Sequence, residues 1–443
     1  MAALALVHPM NRREQVADGL ATAMLAGPWQ QAAVLGRCRY ALGRPNAPQW
    51  LVKLVDEVLL AYRDQPVDRP RELAGYLQAS PHWLKAWDHR RPPRIVSWTP
   101  VPTRIAHRRW PVAELNDHAD LARRLNLTPG ELAWFADVRS LERLGRRPAL
   151  QHYRWTALPR PSGIRLVAAP RPRLKELQRR LLPDVLAAIP LHAAAHGGVP
   201  GRSVRTCLLP HAGAEVIIRV DLAWFFQSIP AGRIWNLLRV AGLPEGVAHS
   251  ITGLVTTVAP ESVLRTYREQ LSPAERSRLR RPHLPIGAPS SPALANALSF
   301  ALDCRLAGLA ARFGARYTRY VDDLTFSGRG YLRTHRSRFI GLVESVVQAE
   351  GFSLNERKTV VLSDAGRQAL LGAVVNHHPT LPRAERDALR AILHNCARHG
   401  WRSQARDNPQ FPAHLRGRIA WAASLDPTFG ARLRSRYEQL DWS

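Results

Sequence analysis

Two adjacent carboxylates, Asp322 and Asp323, lie between two short segments with the composition of β-strands, residues 316–320 and 324–327. Both segments are rich in β-branched and aromatic residues, as half-buried strands are. The pattern predicts a hairpin with the acids at its tip. Neighbouring like charges repel, whereas a bound divalent cation turns that repulsion into coordination, and carboxylate oxygens suit Mg²⁺. The alternative is an ordinary solvent-exposed Asp-Asp turn.

A third carboxylate, Asp221, ends the apolar run at residues 216–220. This run predicts a buried strand, and an acid at its end can face solvent while the strand holds it still. Together with Asp322 and Asp323 it makes three acids on two strands. Two metal ions roughly 3.5–4 Å apart need shared carboxylates of this kind. Acids that end strands are common, so Asp221 alone indicates little.

The charge of the chain indicates a polyanionic partner. Lys and Arg number 63 against 35 Asp and Glu, a formal net charge of +28, which points most simply to nucleic acid. The excess is concentrated at residues 139–180, where twelve basic residues stand against two acidic ones (12 − 2 = +10). A solvent-exposed charge run is the alternative, but this density favours a phosphate-binding surface whose affinity falls with salt.

The mixture of short strands and helices after residue 150 predicts an α+β fold, and residues 1–90 have apolar residues at helical spacing. Thr128 and Glu131 form a capping box that begins a further helix. The chain has no membrane-spanning apolar run and no signal peptide, so we expect a cytoplasmic protein without a membrane partner. The four cysteines are too far apart for a zinc site or a disulfide framework and predict reduced thiols: Cys38, Cys207, Cys304 and Cys396.

From about residue 150 to 440 the sequence resembles the bacterial retron-type reverse transcriptases in seven blocks that follow the expected order. The blocks are the hairpin at 154–170 with the helix start at 174–179, the glycines at 196–203, Asp221 to Ile229, the loop and helix start at 285–296, Tyr320 to Ser327, the segments 355–359 and 367–376, and residues 415–430.

This resemblance implies a right-hand polymerase, built of fingers, palm and thumb around an antiparallel palm sheet, after an N-terminal helical extension. The expected division is residues 1–140 for the extension, 141–215 for the fingers, 216–376 for the palm and 377–443 for a helical thumb. A further helical or fingers segment, at about residues 231–284, is expected to be inserted in the palm.

The resemblance also implies roles for the acids and for one lysine. Asp221 and Asp322 are expected to bind two Mg²⁺ ions, for which Mn²⁺ could substitute, with Asp323 assisting. Lys358 is one of only four lysines in the chain, and lysine can give up a proton where arginine effectively cannot. We therefore expect Lys358 to act as the general acid for the departing pyrophosphate. Chance retention of the lysine is the alternative.

Four further residues are expected, by resemblance, to contact the incoming nucleotide or the primer. Arg165 would pair with the triphosphate, Phe226 would stack beneath the deoxyribose and exclude a 2′-hydroxyl, Gly287 would let the backbone approach the nucleotide, and Tyr320 would lie beside the primer end. The alternatives are that Arg165 is one more cation on a basic hairpin, that Phe226 is a core aromatic and that Gly287 lies in a plain turn. Ile286 replaces the usual glutamine before the loop glycine, which suggests reduced fidelity; equal error spectra for Ile286→Gln and the parent would reject this.

The expected RNA-binding residues are Lys175, Arg179, Arg202, His211 and Gly372. His211 is what remains of the Asn-Ala-x-x-His element of retron enzymes, and Gly372 is what remains of their Val-Thr-Gly element. Both elements are associated with recognition of the enzyme's own RNA, so their erosion leaves the identity of that RNA open.

The implied function is RNA-directed DNA polymerisation. A structured non-coding RNA would be template and primer, dNTPs the substrates and a bound RNA–DNA hybrid the product, in antiphage defence with an effector protein. One alternative is a protein-primed or untemplated defence DNA polymerase of the same superfamily. Another is a non-catalytic RNA-binding scaffold, against which the three intact acids argue. An intron-encoded maturase is disfavoured because too little chain follows the thumb.

Overall fold

A computed structural model describes residues 11–66, 69–88, 92–98, 109–137, 151–160, 163–355, 358–406 and 408–442. The helices before the first strand are α1 Arg12–Leu25, α2 Gln31–Ala41, α3 Gln49–Ala61, α4 Pro70–Ala79, α5 Pro81–Trp87, α6 His118–Leu125 and α7 Pro129–Phe135. Those that follow it are α8 Pro172–Leu181, α9 Val204–Leu208, α10 Ala231–Val240, α11 Glu245–Val255, α12 Glu261–Thr266, α13 Pro273–Leu279, α14 Ser291–Leu298, α15 Phe300–Arg312, α16 Tyr331–Thr334, α17 Arg336–Ala349, α18 Arg383–His399, α19 Arg402–Ala405, α20 Phe411–Leu425 and α21 Pro427–Glu438.

The strands are β1 Tyr153–Arg160, β2 Gly163–Pro170, β3 Val216–Asp221, β4 Arg316–Tyr320, β5 Asp323–Gly328, β6 Val360–Ser363, β7 Ala369–Leu370 and β8 Ala373–Val374. They form a four-stranded sheet in the order β4-β5-β3-β6 and two two-stranded sheets, β1-β2 and β7-β8. Every described pair in the four-stranded sheet is antiparallel. The predicted strand that ends in Asp221 and the predicted acid hairpin are therefore confirmed.

The chain divides into two compact units. The first comprises Met1–Trp155, Pro170–Ile189 and Ala231–Tyr267, and its N-terminal part confirms the predicted helical region as far as that region is described. Helix α1 begins with a capping box between Asn11 and Glu14, which satisfies two backbone donors that a helix start leaves open. The apolar faces of α1 to α5 share one buried core that includes Leu20, Leu54 and Trp83.

Two further sequence predictions for this unit are confirmed. The capping box between Thr128 and Glu131 begins α7. The helix start expected at residues 174–179 lies within α8, which continues into a π-helical turn at Leu182–Leu186.

The second unit comprises Thr156–Ala169, Pro190–Pro230 and Arg268–Ser443. Its C-terminal helices pack on a core to which β3 contributes Ile217. Helix α18 starts after Pro382 and ends before Gly400, and it buries Leu389, Leu393 and Cys396. The predicted division into fingers, palm and thumb groups residues differently from these two units and stays a prediction.

All four cysteines are free, with Cys38, Cys207 and Cys396 buried and Cys304 exposed. Burial raises the pKa of Cys38 to about 12 and that of Cys207 to about 11. Among the described residues, no single helix is long and apolar enough to cross a membrane, although α14 and α15, bent by 53° at their junction, meet the length and composition requirements together.

Candidate active site

The three acids meet at one end of the four-stranded sheet. Asp221 lies opposite Asp323 in the β3–β5 register, and the backbone N–H of Leu222 donates to the Asp322 carbonyl at 2.9 Å. All three acids line one cavity of about 650 Å³. The strands therefore bring residues about one hundred positions apart in sequence to one site, as the sequence predicts.

The turn that carries Asp322 has an unusual backbone. Val321 has a φ of 59°, a left-handed conformation that is strained for a β-branched residue. The Arg319 guanidinium donates to the Val321 carbonyl at 3.0 Å and so holds the turn from behind. Such strain persists only where the surroundings fix the conformation.

Arg319 is itself fixed by a buried network. Its guanidinium donates to both carboxylate oxygens of Asp303, at 2.8 and 2.7 Å, and to the Asn296 amide oxygen at 2.9 Å. The Tyr317 hydroxyl also donates to Asp303, at 2.8 Å. Both members of the Arg319–Asp303 pair are 0% exposed. A buried charge pair with this many hydrogen bonds fixes the position of its neighbours.

The segment at residues 194–197 lies against the acid hairpin. Arg319 N–H donates to the Ala194 carbonyl at 2.7 Å, and His196 N–H donates to the Arg319 carbonyl at 2.8 Å. A Cβ atom on Gly197 would lie 2.5 Å from Val321 Cγ2 and 2.7 Å from its backbone nitrogen. Only glycine allows this approach, which explains one of the glycines in the block at 196–203.

A cation already lies against Asp221. Lys358 Nζ donates to both carboxylate oxygens at 3.0 Å, and the Asn355 side-chain amide donates to one of them at 3.3 Å. Asp221 is nearly buried at 6% exposure, whereas Lys358 is 49% exposed. Sequence and structure therefore agree that Lys358 belongs to this site, and its ammonium marks a position suited to a positive charge.

The two acids of the hairpin differ in their partners. Asp323 accepts two hydrogen bonds from the Arg219 guanidinium, at 2.8 and 2.6 Å. Burial raises the Asp323 pKa, an effect that Arg219 partly offsets. Asp322 has no ion pair within the described part of the chain. Burial and then the Asp221 charge raise the pKa of the Asp322 carboxyl.

The donor set fits a divalent metal that shares its coordination with a substrate. Asp221 and Asp322 supply carboxylate oxygens whose mutual repulsion a cation would relieve. No group of three or more His, Cys, Asp or Glu side chains in the described residues could hold an ion alone. Asp323 accepts its hydrogen bonds from Arg219. Mg²⁺ is commonly bound by one or two carboxylates together with substrate phosphates and water.

Three of the expected substrate-binding residues, Arg165, Phe226 and Tyr320, line the same cavity. The Phe226 ring lies 5.4 Å from that of Phe225, but it is Phe225 that is buried in the core. Phe226 therefore has an accessible surface at the cavity. Contact of these three residues with a nucleotide stays a prediction.

Gly287 lies close to β2, and its expected approach to the nucleotide stays a prediction. Its φ is 106°, and a Cβ atom there would lie 3.1 Å from Val167 Cγ1. The Ile286 carbonyl accepts a hydrogen bond from Ala168 N–H at 2.9 Å, so this loop packs on β2. Ile286, rather than Gly287, lines the cavity.

The expected RNA-binding residues are placed in different environments. Lys175 and Arg179 are exposed one turn apart on α8, where a phosphate could reach both. Arg202 donates to the Ala193 carbonyl at 2.6 Å and helps to close its own loop. Gly372, with a φ of 80°, lies in the turn between β7 and β8 with open space around it. For these four residues RNA contact stays a prediction.

His211 cannot contact RNA in this structure, and its assignment was wrong. The side chain is 0% exposed, with ring nitrogens 2.6 Å from the Ser327 hydroxyl and 2.7 Å from the Thr318 hydroxyl. Burial lowers its pKa to about 3, so the ring is neutral at physiological pH. The imidazole instead joins the 3₁₀ turn at Leu209–His211 to β4 and β5.

Sequence reasoning missed several residues of the site. Arg160 lines the cavity with Arg165, and its position on the basic hairpin was an available signal. Asn355 lies three residues before Lys358 and could have been found with it. No sequence pattern indicated Arg219, Arg319 or Asp303, because charged residues inside apolar strands and helices do not follow the periodicity that identifies a core.

Comparison with known proteins agrees with this geometry. Residues 157–385 match the family model described as reverse transcriptase (RNA-dependent DNA polymerase). The chain is 36% identical over 387 residues to the retron Mx65 reverse transcriptase of Myxococcus xanthus, covering 83% of each chain. The chain belongs to the retron-type reverse transcriptases. The expected membership of this family and the expected right-hand polymerase fold are thereby confirmed.

Other relatives of this retron-type reverse transcriptase extend the comparison. The retron Mx162 reverse transcriptase of M. xanthus is 35% identical over 382 residues, which cover 83% of this chain and 74% of that one. The retron Ec86 reverse transcriptase of Escherichia coli is 27% identical over 281 residues, 63% of this chain and 77% of that one. The protein is an RNA-directed DNA polymerase, with a nucleic acid as its partner and a family dependence on divalent metal.

Proposed function

We propose that this reverse transcriptase copies a structured non-coding RNA into DNA that remains bound to the RNA, with dNTPs as substrates. The proposal is carried by one cavity, about 650 Å³ in volume, that contains Asp221, Asp322, Lys358 and Arg165. Two acids for metal, a cation for the leaving group and a cation for the triphosphate are the parts that phosphoryl transfer requires.

Asp221 and Asp322 would hold two Mg²⁺ ions, with Mn²⁺ as a substitute. When bound, such ions activate the primer hydroxyl, a 2′- or 3′-hydroxyl here, and neutralise the leaving pyrophosphate. Asp323 supports this pair by keeping Arg219 at the edge of the site. The Arg319 guanidinium donates to the Val321 carbonyl and so fixes the turn that carries Asp322.

The cations and aromatics of the cavity would bind the nucleotide. Arg165 and Arg160 lie on the two strands of one hairpin, where their planar guanidinium groups suit phosphate oxygens. Phe226 would stack beneath the deoxyribose and exclude a 2′-hydroxyl. Tyr320 would lie beside the primer end.

Lys358 would protonate the departing pyrophosphate. Its ammonium is half exposed on a flexible four-carbon stem, so it can leave Asp221 and reach a phosphate oxygen. The proton then passes from Nζ to that oxygen as the bond to the leaving group breaks.

The nucleic acid that co-purifies with the protein tests the proposal. We expect a branched RNA–DNA hybrid from the parent, and RNA without DNA from an Asp322→Asn control. DNA covalently attached to protein would favour a protein-primed polymerase, and RNA alone from the parent would favour a binding scaffold.

The biological setting that we propose is antiphage defence in the cytoplasm, together with an effector protein. The sequence similarity to retron enzymes supports this setting. Plaque counts on cells that carry the whole locus should rise when Asp322 is replaced by Asn. Equal counts with the parent and the variant would reject a defence role for DNA synthesis.

A further inference from the structure

A second cavity lies at the opposite end of the strands that carry the acids. It has a volume of about 410 Å³ and is lined by residues from the ends of β4 and β5 and the preceding loops. Strand β5 has six residues, Asp323–Gly328, so its two ends are about 17 Å apart at ~3.4 Å per residue. The cavity is therefore separate from the catalytic acids, although it is built on the same strands.

The rim of this cavity is strongly basic. Arg312, Arg316 and Arg329 line it, and all three are exposed. Arg329 donates to the Gly213 carbonyl at 3.1 Å, which directs its guanidinium along the rim. Within the described residues, no carboxylate pairs with Arg312 or Arg316. Unpaired cations at this density repel one another, and a polyanion relieves that repulsion.

The chain continues this charge beyond the cavity. Residues 328–343 contain four arginines and no Asp or Glu. The carboxylate of Glu215, an acid next to this segment, accepts the Gly330 N–H at 3.0 Å. The basic surface is therefore not confined to the cavity but extends from it onto α16 and α17.

An exposed aromatic ring lies among these cations. Tyr331 is 51% exposed and lines the cavity. Its ring centroid is 4.1 Å from that of His335 and 5.4 Å from that of Phe313, which hold it in place. Aromatic rings among arginines are the usual means of binding single-stranded nucleic acid, since bases stack on the ring while phosphates contact the cations.

We propose that this arginine-rich cavity anchors an unpaired segment of the RNA, with one base stacked at Tyr331 and the flanking phosphates on Arg312, Arg316 and Arg329. The volume falls within the range of small-ligand pockets and admits one splayed nucleotide, whereas a duplex cannot enter it. We assign this nucleotide to RNA because an RNA-directed enzyme must hold its template before any DNA exists. The inference rests on that activity and is independent of the proposed priming group and effector.

Photo-crosslinking of the full-length protein tests the site directly. The probe is a 12-nucleotide oligouridine that contains 4-thiouridine, and the readout is the crosslinked peptide identified by mass spectrometry. We expect a crosslink at Tyr331 that is lost in Arg312→Gln/Arg316→Gln. The matched control, Arg12→Gln/Arg63→Gln, removes the same charge from exposed positions of the N-terminal helical region and should keep the crosslink.

Binding measurements supply the magnitude. At about 0.7 per phosphate contact on a single strand, the slope of log affinity against log salt should fall by roughly 1.4 in the double variant. Tyr331→Ala should weaken oligouridine binding about tenfold. Both variants should extend a short preformed primer–template at the parent rate, which shows that the fold and catalytic site are intact.

Several outcomes would overturn the inference. Absence of a Tyr331 crosslink, or an equal loss of that crosslink in the control variant, would show that this cavity is not an RNA-binding site. A crosslink with oligothymidine but not with oligouridine replaces RNA by the DNA product. Equal weakening of a duplex probe by Tyr331→Ala rejects stacking of an unpaired base. If the substitutions leave RNA binding unchanged but the parent surface binds an acidic protein, the surface is a protein-docking surface instead.

Discussion

Two ion pairs beside the acid hairpin differ in their access to water. Arg319 and Asp303 are both 0% exposed, whereas Lys358 is 49% exposed against 6% for Asp221. Separation of the closed pair would leave an unpaired charge in the interior, which is costly. The open pair can separate because water solvates the lysine and another cation can take its place at Asp221. Charge pairs in one site can thus either fix a backbone turn or keep a cation position available.

The largest effect is expected when the acid of the open pair is removed. Asp221→Asn should lower the single-turnover rate of nucleotide addition by about 10⁴-fold, roughly 5 kcal/mol of transition-state stabilisation. The unfolding free energy should change little, because Lys358 can turn to solvent. Asp364→Asn, at an exposed acid outside the cavity, is the control. A loss smaller than tenfold would remove Asp221 from the catalytic machinery.

Breaking the closed pair should instead act on folding. Arg319→Met leaves Asp303 buried and unpaired, so the free energy of unfolding in denaturant should fall by about 3–5 kcal/mol. The double variant Asp303→Leu/Arg319→Met should recover most of that loss. Its kcat should stay low, since the Val321 carbonyl no longer has its donor.

This double variant distinguishes a positioning role from a purely structural one. If the apolar pair restores kcat together with stability, the network contributes only to folding. If kcat stays low while the dNTP KM is unchanged, the fixed turn acts on the chemical step.

An intermediate effect is expected from the cation of the open pair. Lys358→Arg keeps the charge beside Asp221 but removes a proton donor, so nucleotide addition should slow by about 10²-fold while template binding is unchanged. Single-turnover rates measure the first effect and filter binding the second, with Lys85→Arg as the matched control. Unchanged single-turnover rates would contradict the assignment of Lys358 as the general acid.

The smallest effect concerns Asp322, which has no ion pair among the residues that the structure describes. Because its pKa is raised in the folded protein, the charged form costs stability, and that cost appears as the pH rises through the raised pKa. In metal-free buffer, Asp322→Asn should therefore be more stable than the parent at pH 7.5, and the difference should vanish towards pH 4. Thermal unfolding at the two pH values measures this difference in stability. The same difference at both pH values would contradict a raised pKa for Asp322.

The sequence predicted those parts of the site that depend on local pattern. Strand β3 is an uninterrupted apolar run, and the acid hairpin has two β-rich segments around a tight turn, so their existence followed from composition. Lys358 stood out because lysine is rare in this chain. The family blocks indicated Arg165, Phe226 and Tyr320 as substrate-binding residues, and all three line the cavity.

Parts that depend on distant partners could not be predicted. The resemblance to a retron element indicated RNA contact for His211, but its buried ring contacts Thr318 and Ser327, more than one hundred residues later. Arg319 and Asp303 are charged residues at core positions, where a hydrophobic pattern predicts apolar ones. Only the folded arrangement shows that each satisfies the other.

Cys304 offers a practical consequence of the thiol arrangement. It is the exposed cysteine of the four, and burial shields the thiols of Cys38, Cys207 and Cys396 from a reagent in solution. A maleimide dye should therefore attach at one position of the unmodified chain. That position follows Asp303 directly on α15, so a fluorophore there would report movement behind the acid hairpin during each cycle of nucleotide addition.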